Sequence, residues 1–460
     1  MANTVAKYQK YTEYKELGVE WLGEIPRHWD SKPLKYLCTY NDEVLPETTA
    51  KDAEIQYIDI GSVSAVNGIS KIETMIFKDA PSRARRIVRD GDVIVSTVRT
   101  YLEAIAPINN PPENLIVSTG FAVIRPNQYL YKSFASYCLR AKGFIKEVVA
   151  RSVGVSYPAI NSSDLVNIAI PSIEYAEQVK IANFLDHETA KIDTLIAKQE
   201  KLIELLKEKR QAVISHAVTK GLDPNVQMKD SGVAWLGQVP EHWQVIKFGM
   251  TNQSAVLGGN YISSEGDDGV PVIKMGNLGR GNISLVKVER LQKNEAYESE
   301  HLLKKGDFLF NTRNSLDLVG KVSIWREELD KAVYNSNILR VSFNNLIGSS
   351  EYASYLFNSD LGLSQLRLIA KGTTNVAAIY YKDLRGLIFA YPPAAEQNQI
   401  VSFLDDSCAS LDTLIEKAQS AIKLMQERRT ALISAAVTGK IDVRHWHAPT
   451  VAEAQTELSA

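Results

Sequence analysis

Cysteine is scarce in this chain. Cys38, Cys138 and Cys408 lie far apart, a pattern that supports neither a disulfide framework nor a paired-cysteine zinc site and suits a reducing, cytoplasmic compartment. No apolar run approaches the roughly 18–20 residues that a membrane helix needs. The opening MANTVAKYQKYTEYKEL is polar, so neither a secretory leader nor a membrane span is expected. No G-x-x-x-x-G-K-[ST] motif occurs, which removes the common phosphate-gripping loop of ATP-driven motors. Asn110-Pro111-Pro112-Glu113 imitates the start of an amino-methyltransferase motif but has Glu113 where an aromatic ring would stack on an extruded base. His445 and His447 flank Trp446, and two histidines alone do not make a metal site. No catalysis and no metal centre are expected. Excess charge is also missing: 52 Lys and Arg face 54 Asp and Glu, a net charge of −2.

What is present is a paragraph written twice. GVEWLGEIPRHW (Gly18 to Trp29) returns as GVAWLGQVPEHW (Gly232 to Trp243), and EQVKIANFLD (Glu177 to Asp186) returns as EQNQIVSFLD (Glu396 to Asp405). IDTLI at Ile192 returns as LDTLI at Leu411, and KRQAVISHAVTKGLD (Lys209 to Asp223) returns as RRTALISAAVTGKID (Arg428 to Asp442). The middles of the two copies disagree. Duplication has kept a scaffold and let two blocks diverge, as suits two different readers held by one frame.

Apolar residues recur at helical spacing through Ile192, Leu195, Ile196, Leu202, Ile203, Leu206, Val213 and Ala217, and through Leu411, Leu414, Ile415, Ala421, Ile422, Met425, Leu432 and Ala436. Neither run contains Gly or Pro, and Gly221 and Gly439 stand where a helix ends. The expected organisation is a first globular unit with its N-terminal arm over 1–171, a helix over 172–221, a second unit over 222–393, a second helix over 394–442, and a polar tail over 443–460. Two helices alike in length and stripe are expected to pack antiparallel in coiled-coil fashion. At 1.5 Å per residue, about 45 residues span about 70 Å, near two turns of B-DNA at about 34–36 Å each.

Within the units, EIQYIDI, DVIVSTV, LIVSTGFAVI and VPVIKM read as strands between Gly, Asn and Pro turns. YKSFASYCLRAKGFIKEVV and SEYASYLFNSDLGLSQLRLI each predict a short helix. The fold class is therefore α+β: two globular α/β domains joined by two long antiparallel helices, with a pseudo-two-fold internal repeat. Gly91-Asp92 and Gly306-Asp307 align as tight turns heading strands.

Taken together, the paired WLGEIPRHW and WLGQVPEHW openings, the paired EQ…FLD…DTLI helices and the paired KRQAVISHAVTKGLD and RRTALISAAVTGKID endings resemble the specificity subunit of a type I restriction–modification enzyme, over nearly the whole chain. The resemblance implies a non-catalytic subunit with two target recognition domains, each reading one half of an asymmetric, bipartite double-stranded DNA target. It implies that the helices set the gap and dock two modification (methyltransferase) subunits, with Phe184, Leu185, Phe403 and Leu404 of the repeated FLD as docking residues. Restriction subunits, ATP-dependent nuclease/translocases, would join the assembly. S-adenosylmethionine, ATP and Mg would then reside on partners, and this chain would carry no cofactor.

Base reading needs donors and acceptors on loops that can enter a groove: Arg for guanine, Asn or Gln for adenine, with Lys, Arg and hydroxyls on phosphate. Residues 81–160 carry 11 Lys and Arg against 5 Asp and Glu, whereas 41–79 carry 3 against 8. In the first unit the candidates are Ser62, Arg83, Arg85, Arg86, Ser96, Thr97, Arg99, Tyr101, Arg151, Ser156 and Tyr157. In the second they are Lys274, Asn277, Arg280, Asn311, Thr312, Arg313, Asn314, Lys371, Thr373, Thr374 and Asn375. Two other functions fit the same outline. One is a coiled-coil scaffold presenting two protein-binding modules; the other is a self-sufficient methyltransferase with an unusual motif.

Overall fold

The computed structural model describes residues 8–64, 68–266, 268–293, 295–372 and 376–448. The candidates Thr373, Thr374 and Asn375 lie outside them. The chain forms two compact units, one built from residues 1–200 with 419–460 and the other from 201–418. Both boundaries fall inside the two long helices, Tyr175–Lys220 and Ala394–Val437.

In the first unit, strands order as Ile105–Pro107, Val93–Ser96, Phe121–Pro126 and Cys38–Tyr40 in an antiparallel sheet. A second sheet orders Glu73–Ile76, Glu54–Ile58, Leu115–Ser118 and Ala84–Ile87, with Leu115–Ser118 parallel to Glu54–Ile58. The second unit repeats the plan. One sheet orders Asn252–Leu257, Ile338–Phe343, Phe308–Asn311 and Val322–Ile324; the other orders Ser263–Ser264, Glu289–Leu291, Pro271–Ile273 and Val333–Tyr334, again with one parallel pair. The sequence showed strands but not this division into two sheets, because each strand is too short to display its partner.

Each run expected to be one short helix is two: Lys132–Arg140 with Lys142–Ala150, and Ser350–Asn358 with Asp360–Ile369. Ala141 and Ser359 adopt extended backbone between them. Ser359 Oγ accepts from Gly362 N, so the break starts the next helix with a side-chain cap.

The repeated motifs bind each unit to its helices. Glu177, at the start of the first long helix, accepts from Tyr11 Oη at 2.6 Å and Trp29 Nε1 at 3.1 Å, with His28 Nε2 3.0 Å away. In the second unit Glu396 accepts from Trp243 Nε1 at 3.1 Å, with His242 Nε2 at 2.6 Å. The adjacent glutamines tie loops to helix starts: Gln178 Nε2 donates to Ile173 O and Tyr129 O, and Gln397 Nε2 to Pro392 O and Leu346 O. Asp186 accepts from Tyr137 Oη at 2.7 Å, and Asp405 from Tyr355 Oη at 2.6 Å. HW and EQ bond to each other in both copies, and the aspartate of FLD holds a tyrosine of its own head.

Within the first unit the chain runs back along the first helix: Asp193 pairs with Arg429 of the second helix at 2.8 Å, and Phe184 meets Trp446, past that helix's end, edge-on. Ile192, Leu432, Ile433, Ala436 and Val437 join the head's core alongside Trp29 and Phe144. Within the second unit Arg210 pairs with Asp412 at 2.9 Å, and Ile214, Ala217, Val218, Ile400 and Leu404 join the core around Trp243 and Phe357. These two ion pairs are images of each other under the repeat. The helices end as expected, with Gly221 and Gly439 at φ of 77° and 69°, and Lys440 N bonds back to Ala435 O.

The Gly-Asp turns are scaffold. Gly91 and Gly306 have φ of 86° and 85°, a backbone that a side chain would strain. Asp92 is buried and accepts from Arg125 Nε and Nη2 and from Arg89 N. Asp307 accepts from Lys304 N and lies 3.5 Å from Arg340 Nη1; burial raises its carboxyl above the usual range despite that arginine.

Candidate nucleic-acid interface

In each unit the divergent loops meet at one place, and a threonine pins them. Thr97 N and Oγ1 both donate to Gly120 O, at 2.8 and 2.9 Å, while Thr97 O accepts from Ile160 N. Thr312 N and Oγ1 both donate to Asn337 O, at 2.9 Å, while Thr312 O accepts from Ile379 N. The same three bonds thus clamp three chain segments in both heads. The sequence between the clamps differs, so a common frame presents unlike side chains.

In the first unit the clamp gathers the 96–103 loop, the turn at Gly120 and the 151–160 hairpin. Val98 and Val153 both bridge to Ala159, and Thr100 Oγ1 donates to Ser152 Oγ at 2.8 Å. Arg99 is exposed, holds left-handed backbone at φ 51°, and lays its guanidinium 5.0 Å from the Tyr157 ring centre. Tyr101, Ser156 and Arg151 are also exposed, Arg151 paired with Glu147. Arg83 is exposed and next to this surface, since its carbonyl accepts from Thr119 N. It donates to Tyr57 Oη and pairs with Asp59 at 2.9 Å, contacts that raise its affinity for its proton.

In the second unit Arg313 and Asn314 form a small sheet with Ala377–Ala378 and Lys371–Gly372. Arg313 and Lys371 are exposed, Lys371 paired with Asp383 at 2.7 Å. Asn314 is half-buried and caps its own turn through Ser315 N. Arg280 donates to Asp317 O at 3.2 Å, while its Nη1 is buried without a partner; burial first, and Arg367 second, hold its pKa below the ordinary arginine range. A buried guanidinium nitrogen left without an acceptor costs stability.

Several candidates are scaffold instead. Ser62, Ser96, Thr97, Asn277 and Asn311 are buried. Ser96 Oγ donates to Val98 O, Asn277 Nδ2 to Ser284 O and Lys287 O, and Asn311 Nδ2 to Met275 O. The side-chain polar atoms of Ser96, Thr97, Asn277 and Asn311 are engaged inside the loops; Thr312, half-buried, is likewise committed to its clamp. Lys274 is half-buried and paired with Glu289. Arg85 stacks on Phe77, and Arg86 lies on the strand Ala84–Ile87 with Nε buried and unpartnered, its pKa lowered by burial. Short polar residues in turns read as ligands in sequence because the same groups that bond bases also bond backbone.

The proposed docking residues are corrected in the same way. Phe184, Leu185 and Leu404 are core residues; of the four, Phe403 alone is exposed. Sequence reasoning passed over the exposed leucines of the long helices. Leu195 and Leu424 are exposed in the first unit, at 45% and 65%, and Leu205 and Leu414 in the second, at 49% and 48%. Under the repeat Leu195 corresponds to Leu414 and Leu205 to Leu424. Their signal was available: large apolar residues kept at matched positions of both copies.

Among the described residues no group of three or more His, Cys, Asp or Glu is placed to hold a metal, and no helix is long and apolar enough to cross a membrane. A family model described as the type I restriction modification DNA specificity domain matches residues 26–205 and again 254–424. The type I restriction enzyme EcoKI specificity subunit of Escherichia coli K12 is 25% identical over 441 residues, covering 93% of this chain and 92% of the relative. The putative type I restriction enzyme MjaX specificity subunit of Methanocaldococcus jannaschii is 26% identical over 443 residues, covering 92% and 96%. A chain from a structural study of complex assembly and conformational transition of the type I R-M system shares the fold at a TM-score of 0.69 and 22% identity, covering 90% of this chain and 98% of its own length.

Proposed function

Because this chain belongs to the type I restriction–modification DNA specificity family, matched once in each half, we infer that the two clamped loop clusters are its base-reading surfaces. The protein is the sequence-specific DNA-binding subunit of a type I system, with two specificity domains suited to a bipartite target. The observation that carries the assignment of the surfaces is the clamp. Thr97 and Thr312 hold equivalent frames, and the exposed side chains beside them differ: Arg99, Tyr101 and Tyr157 in one head, Arg313 and Lys371 in the other. Two unlike readers on one frame specify two unlike half-sites, so the whole target is asymmetric.

Arg99 and Arg313 are assigned to base edges, where bidentate contact with guanine discriminates by about 1–3 kcal/mol. Arg83 and Arg151 are assigned to phosphate. We assign the gap between half-sites to the long helices, whose 46 and 44 residues give lengths of about 69 and 66 Å at 1.5 Å per residue. Two modification subunits would dock on the leucine pairs Leu195 with Leu424 and Leu205 with Leu414, since equivalent surfaces suit two copies of one partner. Methyl transfer and ATP-driven cleavage, with their S-adenosylmethionine, ATP and Mg, are assigned to the modification and restriction subunits. A net charge of −2 gives this chain little phosphate attraction of its own, so partner subunits would supply much of the grip.

The test begins by mapping modified bases in host DNA, which should show two short motifs at constant separation. In the assembled complex, Arg99→Ala should relax recognition in one motif and Arg313→Ala in the other. Equal losses on target and non-target DNA would make both residues phosphate contacts and refute the assignment.

A further inference from the structure

The hairpin from Arg151 to Pro158 exposes apolar surface that the fold does not use. Val153 is 80% exposed and Val155 fully so, while the hairpin's base is fixed. Val153 N donates to Ala159 O at 2.8 Å, Ala159 N returns to Val153 O at 3.0 Å, and Thr100 N donates to Pro158 O. Gly154, at φ 115°, makes the turn; a Cβ there would come 3.2 Å from Tyr157 O. Tyr157 leans outward under the Arg99 guanidinium, and Arg151 stands at the hairpin's other edge. A narrow hairpin, fixed at its base, thus carries a branched apolar tip between cationic side chains.

Single exposed apolar residues are ordinary on protein surfaces. Two valines flanking a glycine at the tip of a braced hairpin, inside a cluster assigned to DNA, are a different arrangement. The major groove admits a two-stranded ribbon, and the one apolar group it offers is the thymine C5 methyl. We propose that Val155 reads a thymine methyl in the half-site of the first head, as a specificity-determining contact beside Arg99. This rests on the DNA-reading assignment above and adds a composition rule: the half-site read by the first head contains an A·T pair. The second head has the polar sequence Thr373-Thr374-Asn375 at the corresponding place, so the rule applies to one half-site only.

The experiment replaces each thymine of both half-sites by uracil, one at a time, which deletes only the methyl. Binding of the assembled complex with its modification subunits is then measured for wild type and for Val155→Ser. At one position in one half-site, uracil should weaken wild type about four-fold, the size expected for burying one methyl-sized group. Val155→Ser should lose a similar factor on the thymine duplex and be indifferent to uracil there. Val155 is fully exposed, so the variant should fold as wild type does, and hydrogen exchange of the complex checks this. Specific binding with no uracil-sensitive position, a sensitivity that Val155→Ser leaves unchanged, or a loss of subunit assembly in place of a methyl effect would each overturn the methyl contact alone. Absence of sequence-specific binding by the wild-type complex would overturn the DNA-reading assignment as well.

Discussion

Replacing Glu177 with Gln should destabilise the first unit and spare the second. Glu177 is buried and receives Tyr11 Oη and Trp29 Nε1, with His28 Nε2 beside it. Trp29 is itself fully buried, so its indole N–H has no recourse to water. Hydrogen bonds to a charged group contribute about 1.5–3 kcal/mol each, and a buried donor left unpaired costs about 1–3. Glutamine can set its carbonyl where Oε1 accepts from Tyr11 and Trp29, so both bonds lose their charged acceptor, and its N–H₂ replaces Oε2 beside His28. The expected loss is about 3 kcal/mol, a large share of the roughly 5–15 kcal/mol that stabilises a typical domain. Glu396→Gln disrupts a similar site with two such partners, Trp243 and His242, and should cost about 2 kcal/mol in the second unit. Two units need not unfold together, so hydrogen exchange resolved by peptide is the suitable assay. Glu177→Gln should lower protection around Trp29, Tyr131 and Phe184 and leave peptides of Val245–Phe389 unchanged. Equal loss in both units, or no loss near Trp29, would refute the view that this carboxylate anchors its head.

Other consequences are equally direct. Thr97→Val and Thr312→Val each remove a hydroxyl bond from a clamp; each should cost about 1 kcal/mol in thermal unfolding and blur one half-site in binding selections. Arg429→Met and Arg210→Met break the half-exposed pairs with Asp193 and Asp412 and should cost under about 1 kcal/mol each in urea titrations. Leu195→Glu with Leu414→Glu should weaken assembly with modification subunits in size-exclusion chromatography without lowering the melting temperature, since both side chains face solvent. Asp307 has a raised folded-state pKa through burial, so the folded state holds its proton more tightly. Its contribution is most favourable below the ordinary carboxylate range and is lost as pH rises through the raised value. Wild type should therefore lose stability relative to Asp307→Asn over that rise, measured by unfolding at a pH series.

The long helices were legible because apolar spacing of three, four and seven persists over many turns and glycines mark the ends. Their partners in each head were not, since Glu177 and Trp29 are distant in sequence and only folding shows that HW and EQ are two halves of one contact. The reading surfaces were legible as regions but not residue by residue. Arg99, Arg313 and Tyr157 face solvent, whereas Ser96, Asn277 and Asn311 turn inward, and composition is the same for both fates. The split of each head into two sheets stayed hidden because the parallel pairs, such as Glu54–Ile58 with Leu115–Ser118, join strands that are far apart in the chain.

The first unit is assembled from 1–200 and 419–460, the second from the single stretch 201–418. On the ribosome, therefore, the domain translated first cannot finish first. Trp29 and Phe184 must wait for Leu432, Val437 and Trp446, and the later domain can close while the earlier one still shows an open seam. Chaperone dependence and premature termination should accordingly harm the N-terminal head more than the one that follows it.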